Sequence, residues 1–356
     1  MKRRDFVVKG TSGAMGAGLA GCSNFRSKKV VINKPEFAPI DIETKLPKPV
    51  GTMPKAEIGT TGITVSKFGF GSHLRQELIK YDKIRESMIR EAYDMGINLY
   101  DVYDGEMKLF QYEPMGRYLA PIINDVVVSI SIRPFEGRTL EEEFERALRL
   151  FKRDHFDMVR LQGNLDKWDQ MLKWKEQGKI RTVGVAIHDP KELNETLTAL
   201  PLDYVILVFN FYHNWYRLKP HNFKSLIKDL RKRGIGIITM KPMLGDRLAT
   251  PFRRIAEKLD ETGELIYTQA CLRYIINHDI NVDSTLNGMF NPYHLYQNIA
   301  AFYNPEMSDE ERTLLSKVRN VAKVDGVSKN LLPEHYRFLE EYVPDSWDDS
   351  DLFGSA

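Results

Sequence analysis

Strand-like and helix-like segments alternate along most of this 356-residue chain, and this alternation most restricts its fold. Beginning near residue 53, each short run of apolar residues is followed by an amphipathic stretch, and eight such pairs follow one another. The predicted strands are 67–71, 96–101, 125–131, 158–162, 181–187, 204–209, 234–240 and 282–288. The predicted helices are 81–94, 108–120, 139–151, 165–177, 191–200, 223–233, 264–277 and 292–302. Eight pairs in roughly 250 residues predict an α/β fold, the (β/α)8 TIM barrel.

Two additions flank the predicted barrel. Residues 56–59 and 63–66 enclose the turn 60–62 and predict a hairpin before the first barrel strand. After the barrel, the capping pattern Ser308-Asp309-Glu310-Glu311 predicts a helix to about residue 321. A second helix is predicted over 333–342, followed by an acidic tail. We therefore divide the chain into an export signal, a tether, the barrel and a short helical C-terminal extension, with bounds 1–22, 23–52, 53–305 and 306–356.

The composition excludes several classes of function. The net charge is only +2, and no run of basic residues is interleaved with aromatic ones, so we expect no nucleic-acid partner. The chain has two cysteines, Cys22 and Cys271, which are too few for a disulfide framework or a tetra-thiolate site. We therefore expect neither a metal ion nor an iron–sulfur cluster.

The first 22 residues carry two sorting patterns. Lys2-Arg3-Arg4-Asp5-Phe6 resembles the twin-arginine export signature, and Leu19-Ala20-Gly21-Cys22 resembles a bacterial lipoprotein lipobox. Together they predict a protein that folds before the twin-arginine machinery exports it, and that is anchored on the periplasmic or cell-surface side by a lipidated Cys22. The alternative is a basic N-terminus without a sorting role. Proline and lysine are scattered through residues 23–52, which predicts an extended tether.

One predicted strand ends in a carboxylate. In Gly96-Ile-Asn-Leu-Tyr-Asp-Val-Tyr-Asp-Gly105 the apolar alternation leads to Asp101, and turn residues follow. The functional groups of parallel α/β folds lie at the carboxyl ends of strands, so Asp101 is the first candidate site residue.

Several motifs together resemble those of one enzyme family. They are Gly59-Thr-Thr-Gly62 through Gly71, Gly96 through Asp101, Gly178-Lys179-Ile180-Arg181-Thr-Val-Gly184, Met240-Lys241-Pro242 and Asn287-Gly288-Met289-Phe-Asn291-Pro292. In this order and spacing they resemble the aldo/keto reductases over residues 53–305, in particular the bacterial branch with Met-Lys-Pro after strand seven. The resemblance implies hydride transfer between NADP(H) and a small carbonyl or alcohol substrate at the carboxyl-terminal mouth of the barrel.

The resemblance is incomplete at the catalytic positions. Such enzymes use an Asp, a proton-donating Tyr, a Lys that makes the Tyr acidic, and a substrate-orienting His. Asp101 matches the first of these. Glu106 stands where the Tyr is expected, Ser131 where the Lys is expected, and Gln162 where the His is expected.

Nearby residues are candidates to replace the missing groups. Tyr103 and Tyr112 are displaced candidates for the proton donor, and Arg133 is a candidate cation. His73 and His188 follow strands one and five, and either could act as the acid or orient the substrate. For each of these residues the alternative is a structural role, because strand-end aromatics more often pack, loop arginines are usually solvated and a lone histidine is more often a surface residue.

Arg160 is a further candidate because it lies two residues before Gln162 on the same predicted strand. Both side chains therefore point the same way, into the barrel if the family pattern holds. A guanidinium inside a barrel needs a partner, for which Asp101 is a candidate, in either a structural or a catalytic ion pair.

The nicotinamide side of the cofactor site departs from the family pattern, whereas the phosphate side is better preserved. Ala186-Ile187 stand where the family has a Ser-Asn pair that holds the carboxamide. The segment after strand eight matches the part that holds the adenosine phosphates at a helix N-terminus. The residues that the resemblance assigns to the cofactor are Lys241, Gly288, Asn291, His294, Gln297 and Asn298, with His294 at the position of the basic residue for a 2′-phosphate.

The sequence thus predicts an aldo/keto reductase-like oxidoreductase that uses NADP(H) with an atypical catalytic set: Asp101, Tyr103, Gln162, His188 and His73. The alternative is a lipoprotein of the same fold that has lost the reaction, with or without a bound nucleotide.

Overall fold

A computed structural model describes residues 47–72, 81–104, 110–135, 137–161, 165–189, 196, 200–213 and 223–331. The remaining residues are not described. Several sequence predictions therefore lie outside the described residues. These are the export signal with Cys22, the tether up to residue 46, most of the helix predicted over 191–200, the helix over 333–342 and the acidic tail, together with His73, Glu106 and Gln162.

Eight parallel strands form a closed barrel, which confirms the predicted fold. A two-stranded hairpin precedes it, β1 (Lys55–Glu57) and β2 (Thr64–Ser66). The barrel strands are β3 (Phe68–Gly71), β4 (Leu99–Tyr103), β5 (Val127–Ile132), β6 (Phe156–Leu161), β7 (Ile180–Ile187), β8 (Tyr204–Val208), β9 (Gly236–Met240) and β10 (Ser284–Gly288). They are adjacent in chain order, and β10 closes the barrel on β3.

Helices surround the barrel. They are α1 (Asp82–Asp94), α2 (Tyr112–Leu119), α3 (Leu140–Phe151), α4 (Trp168–Glu176), α5 (Phe223–Lys232), α6 (Asp246–Leu259), α7 (Tyr267–Ile276), α8 (Pro292–Tyr303), α9 (Asp309–Val324) and α10 (Val327–Leu331). Short 3-10 helices lie at Ala120–Ile122 and Leu165–Lys167. In the part of the chain that is described, no helix combines the length and the apolar character needed to cross a membrane.

The hairpin closes the amino-terminal end of the barrel. Ile58, Ile63 and Val65 pack against inward-facing strand residues that include Leu99 and Ile238. Asp283, just before β10, fixes this arrangement by accepting hydrogen bonds from the backbone N–H groups of Gly59 (3.1 Å) and Ile237 (2.8 Å). The hairpin therefore covers this end, and the opposite, carboxyl-terminal end is the mouth of the barrel.

The second barrel strand extends further than its sequence indicates. Its last residue is Tyr103, so Asp101 lies within the strand, two residues before the strand ends. Asp101 is paired in register with Ser129, and Tyr103 with Ser131. The prediction that the strand stops at Asp101 was therefore wrong. Val102 and Tyr103 are a β-branched and an aromatic residue, which favour continuation of the strand.

The helix termini follow the capping patterns in the sequence. Thr139 and Glu142 form a capping box at α3, and Ser308 and Glu311 form one at α9. The sequence analysis missed α6, which contains Pro251 in its second turn. Proline disfavours a helix interior, which explains why this helix is not evident in the sequence.

Candidate active site at the barrel mouth

A buried ion pair lies inside the barrel below its mouth. The guanidinium of Arg160 on β6 donates to both carboxylate oxygens of Asp101 on β4, and Nη2 lies 2.9 Å from Oδ2. The two side chains are only 7% and 8% exposed. The partner that the sequence suggested for Arg160 is thus confirmed.

Ser129 on β5 completes this cluster. Its hydroxyl donates to Asp101 Oδ1 (2.8 Å) and accepts from Arg160 Nη1 (3.1 Å). Burial lowers the pKa of Arg160, but the charge and hydrogen bonds of Asp101 raise it further, so the pKa stays above its ordinary value. The barrel therefore holds a permanent cation that is neutralised by Asp101.

A tyrosine beneath this pair depends on a glycine. Tyr204, the first residue of β8, is fully buried, and its ring lies over Gly184 of β7. A Cβ on Gly184 would lie 2.6 Å from Cζ of that ring. The buried hydroxyl of Tyr204 lies close to Ser129 and Arg160, both of which lower its pKa. Burial raises its pKa more than Arg160 lowers it, so Tyr204 keeps its proton.

Tyr103 lies on the mouth side of the ion pair. It is two residues beyond Asp101 on β4, on the same face, and is half-buried. Its register partner Ser131 is in turn paired with Arg160. Tyr103 is thus the tyrosine that combines proximity to the cation with exposure at the mouth. His188, directly after β7, is also half-buried there.

Two other candidates from the sequence have different surroundings. The ring of Tyr112 is buried in the helix layer, and its hydroxyl donates to the carbonyl oxygen of Ser131 at 2.6 Å. Burial raises the pKa of Tyr112 far above its ordinary value, which disfavours proton donation. The guanidinium of Arg133 lies 5.5 Å from the ring of Phe135. The cation paired with Asp101 is Arg160, and a role for Arg133 as a further cation stays a prediction.

A buried histidine that the sequence analysis missed lies after β8. His213 is fully buried, and both ring nitrogens lack a hydrogen-bond partner. Burial and the charge of Lys241 lower its pKa to about 3. The backbone N–H of His213 donates to Asn210 Oδ1 (2.8 Å). Its imidazole is neutral at ordinary pH and cannot act as a general acid there.

The segment after β10 places four of the predicted cofactor residues on one helix. Asn291 caps α8 by accepting from the N–H of His294 (2.9 Å), and His294 is half-buried in the first turn. Gln297 accepts from Gln269 of α7 at 2.6 Å. Asn298 is 1% exposed, and neither end of its amide has a hydrogen-bond partner. Unsatisfied buried amides are rare, so Asn298 is suited to a ligand with both donors and acceptors.

The loop after β9 also faces the mouth. Lys241 has a left-handed backbone (φ 57°), and its carbonyl oxygen accepts from Asn210 Nδ2 (3.2 Å). Gly245 is the N-cap residue of α6. Because glycine has no side chain, it provides no side-chain acceptor for the first N–H groups of that helix. No cluster of three or more His, Cys, Asp or Glu side chains that could bind a metal is present in the described ranges.

Comparison with known protein families identifies the family to which this barrel belongs. The model of the aldo/keto reductase family matches residues 71–320, from the end of β3 into α9. The chain belongs to the aldo/keto reductase family. Among curated proteins, no significantly similar sequence was found.

Solved structures of aldo/keto reductases share the fold. The holo form of one from Bacillus halodurans has 18% sequence identity and a TM-score of 0.61, and the match covers 80% of this chain and 99% of that one. One from Klebsiella pneumoniae, solved in complex with NADPH, has 18% identity and a TM-score of 0.61 over 76% and 95% of the two chains. One from Pseudomonas aeruginosa has 19% identity and a TM-score of 0.55 over 72% and 98%.

Proposed function

We propose that this aldo/keto reductase transfers a hydride between NADP(H) and a small carbonyl or alcohol substrate, with a catalytic set that departs from the family pattern. The observation that carries the proposal is the buried Asp101–Arg160 pair. The family pattern places a lysine on the third barrel strand for this role, and Ser131 stands there. Arg160 supplies the positive charge from the fourth strand instead, at the same carboxylate.

The described residues fit a nicotinamide dinucleotide. Asn298 offers an unsatisfied buried amide, Asn287 has an unsatisfied Nδ2, and Asn291 caps α8 beside His294. We assign Lys241, Gly288, Asn291, His294, Gln297 and Asn298 to the binding of its adenosine phosphate end. When bound, the nicotinamide ring exchanges a hydride with the carbonyl carbon.

Tyr103 is our candidate proton donor. In the reducing direction, its hydroxyl gives a proton to the carbonyl oxygen as that oxygen becomes an alcohol. Arg160 lies below and stabilises the phenolate that Tyr103 leaves, while Asp101 holds the guanidinium in place. His188, directly after β7, is our candidate to orient the carbonyl. Tyr204 is fully buried and stays protonated, so it supports Arg160 without contacting substrate.

The test compares two tyrosines that differ in exposure. NADPH binding is followed by nicotinamide fluorescence, and turnover by NADPH oxidation with a panel of aldehydes. We expect Tyr103→Phe to lower kcat by about 100-fold or more while NADPH still binds, since general acid catalysis contributes about that much. We expect Tyr204→Phe to change kcat only a few-fold.

Two outcomes would count against the proposal. Equal activity of Tyr103→Phe and the unmodified protein would remove Tyr103 from the mechanism. NADPH binding without turnover of any aldehyde or alcohol would instead support the second candidate, a nucleotide-binding barrel without catalysis. The observation that favours this second candidate is that the Asp101–Arg160 pair is closed and fully satisfied, as a structural pair would be.

We also propose that the protein is exported through the twin-arginine machinery and anchored by a lipidated Cys22. The support is the order and spacing of the two sequence patterns within residues 1–22. NADPH is not expected outside the cytoplasm, so the exported enzyme would have to carry its cofactor bound. Copurification of a nicotinamide nucleotide with exported protein is the result expected.

A further inference from the structure

A second charged group at the mouth lies outside the proposed catalytic set. Arg85 in the first turns of α1 is 7% exposed, and its Nη2 donates to the carbonyl oxygen of Ser72 and to Gln111 Oε1 (3.2 Å). Burial lowers its pKa to about 10, so the guanidinium is charged at neutral pH. It is a buried cation whose two hydrogen-bonded partners are both neutral.

The carboxylates near Arg85 are engaged elsewhere. Asp82, whose charge reaches Arg85, bonds Arg117 (2.8 and 3.0 Å) and the hydroxyl of Tyr118. Asp104 accepts from the backbone N–H of Gln111 and pairs with Arg146. Within the described part of the chain, no carboxylate hydrogen-bonds Arg85. A buried charge without a hydrogen-bonded counter-charge is costly, so Arg85 favours the binding of an anion.

The cation and its two neighbours offer three unsatisfied donors. Arg85 Nε, Ser72 Oγ and Gln111 Nε2 are buried and have no hydrogen-bond partner. Ser72 and Gln111 are both fully buried. Three potential donors without acceptors match the oxygens of one oxyanion, because a carboxylate only accepts hydrogen bonds.

A narrow cleft reaches Arg85 from the surface. It is lined by Tyr81, Ile84, Arg85, Met88, Met289 and Phe290, and it encloses only about 10 Å³, or about 240 Å³ when the adjoining open space is included. Its walls are mainly apolar, with one charged residue. The cleft lies between α1 and the end of β10.

The cluster is close to the proposed catalytic pair. The N–H of Ser72 donates to the carbonyl oxygen of Asp101 at 2.9 Å, and the carbonyl oxygen of Ser72 accepts from Arg85. One residue therefore links the two sites through its backbone. A compact molecule could have one end at Arg85 and its carbonyl above Asp101.

We propose that Arg85, Ser72 and Gln111 form a subsite for a carboxylate, and that the enzyme acts on small carbonyl compounds that carry one. The second half of this inference rests on the proposed reductase function, whereas the first half does not. Arg85 Nε and the Gln111 amide donate to the carboxylate oxygens, and the hydroxyl of Ser72 donates a third hydrogen bond.

The binding test uses acetate as its probe. Thermal unfolding of the full-length protein is measured in sodium acetate, in inorganic phosphate and in sodium chloride of equal ionic strength. Acetate should raise the Tm, because a ligand that binds only the folded state stabilises it. Phosphate should have little effect. Stabilisation by phosphate and not by acetate would overturn the proposal, as would the absence of stabilisation by either.

Two variants test the residues without removing Arg85. Ser72→Ala deletes a hydroxyl that makes no hydrogen bond, so its Tm in chloride should be unchanged, while the Kd for acetate should rise about tenfold. Gln111→Glu places a carboxylate beside Arg85, so it should raise the Tm in chloride and abolish the response to acetate. Arg312→Gln on the exposed face of α9 is the control for net charge and should respond like the unmodified protein.

The substrate test uses a matched pair, 4-oxobutanoate and its methyl ester. We expect kcat/KM to be at least tenfold higher for the acid, and Ser72→Ala to raise KM for the acid alone. An equal effect of Ser72→Ala on both aldehydes would overturn the assignment of substrate class. If acetate binds as expected but neither aldehyde is reduced, the carboxylate subsite stands and the proposed reductase function fails.

Discussion

Asp101 and Arg160 neutralise each other inside the barrel, so removal of one leaves the other as a buried, unpaired charge. We predict that Asp101→Asn lowers the free energy of unfolding by about 3–5 kcal/mol, measured by urea denaturation at neutral pH. The same variant should lose activity, because Arg160 is no longer held beneath Tyr103.

The double variant Asp101→Asn with Arg160→Met separates charge from packing. Since the unpaired guanidinium is also removed, we expect it to regain most of the stability that Asp101→Asn loses. Activity should not return with stability. If the two substitutions simply add, the loss comes from disturbed packing and not from the unpaired charge.

His213 gives a prediction about pH. Its pKa is lowered to about 3 in the folded protein, whereas an unfolded histidine titrates near 6.5. Between these values the unfolded chain binds a proton that the folded chain does not, so stability is lost as the pH falls from about 6.5 toward 3. The protonation of His213 in the unfolded chain therefore lowers the free energy of unfolding by about 2 kcal/mol at pH 5 relative to pH 8.

Replacement of the His213 imidazole by an apolar ring removes its contribution to the pH dependence of stability. In His213→Phe, the difference in unfolding free energy between pH 8 and pH 5 should shrink by about 2 kcal/mol. Phe211→Leu, which changes a neighbouring buried ring without a titratable group, is the control: it should lower stability and leave the difference nearly unchanged. An unchanged pH dependence in His213→Phe would contradict the assignment of this term to His213.

The sequence predicted some of these residues and not others. Asp101 belongs to a recognisable motif. The alternation of side chains along a strand predicted that Arg160 points into the barrel, where Asp101 is a candidate partner. Ser129 shares its parity with Ser131, a signal that could have found it. Packing across different elements brings Tyr204 beneath the ion pair and Arg85 to the mouth, so no local pattern marks them. His213 lies in a loop, where periodicity carries no information.

At the scale of elements, the eight strands and the two capped helices were predictable because apolar periodicity and capping are local. Two deviations have local causes as well. Pro251 disfavours a helix in the sequence pattern, so α6 was not predicted. The turn residues Asp104 and Gly105 led to a predicted end of β4 that was too early. The placement of Arg160 beside Asp101 required the register of three strands, which depends on closure of the barrel.

The two capping boxes should contribute equally despite their different positions. Thr139→Ala and Ser308→Ala each remove the side-chain acceptor of a helix N-terminus. We expect each to lower the free energy of unfolding by about 1 kcal/mol in urea denaturation. Thr313→Ala, on the exposed face of α9, is the control; it should have no effect or stabilise slightly because alanine favours helices. A similar loss in all three would show that capping is not the cause.

For the whole molecule, the prediction concerns its location in the cell. Cys22→Ser should release the protein from the membrane fraction without changing its fold, since the described barrel begins well after it. Lys substitutions at Arg3 and Arg4 should retain the protein in the cytoplasm. Cell fractionation with immunoblotting measures both. Membrane association of Cys22→Ser would exclude the lipid anchor.

The closure of β10 on β3 also has a consequence for synthesis. The edge of β3 that pairs with β10 has no partner until residues 284–288 have been made, more than two hundred residues after β3 itself. At about 5–20 residues per second, this interval is roughly 10–45 s. The hydrogen bond from the Gly59 N–H to Asp283, which fixes the hairpin, also forms only after a similar interval. A nascent chain of this enzyme therefore carries an open strand edge for most of its translation, a period in which chaperone binding would protect it.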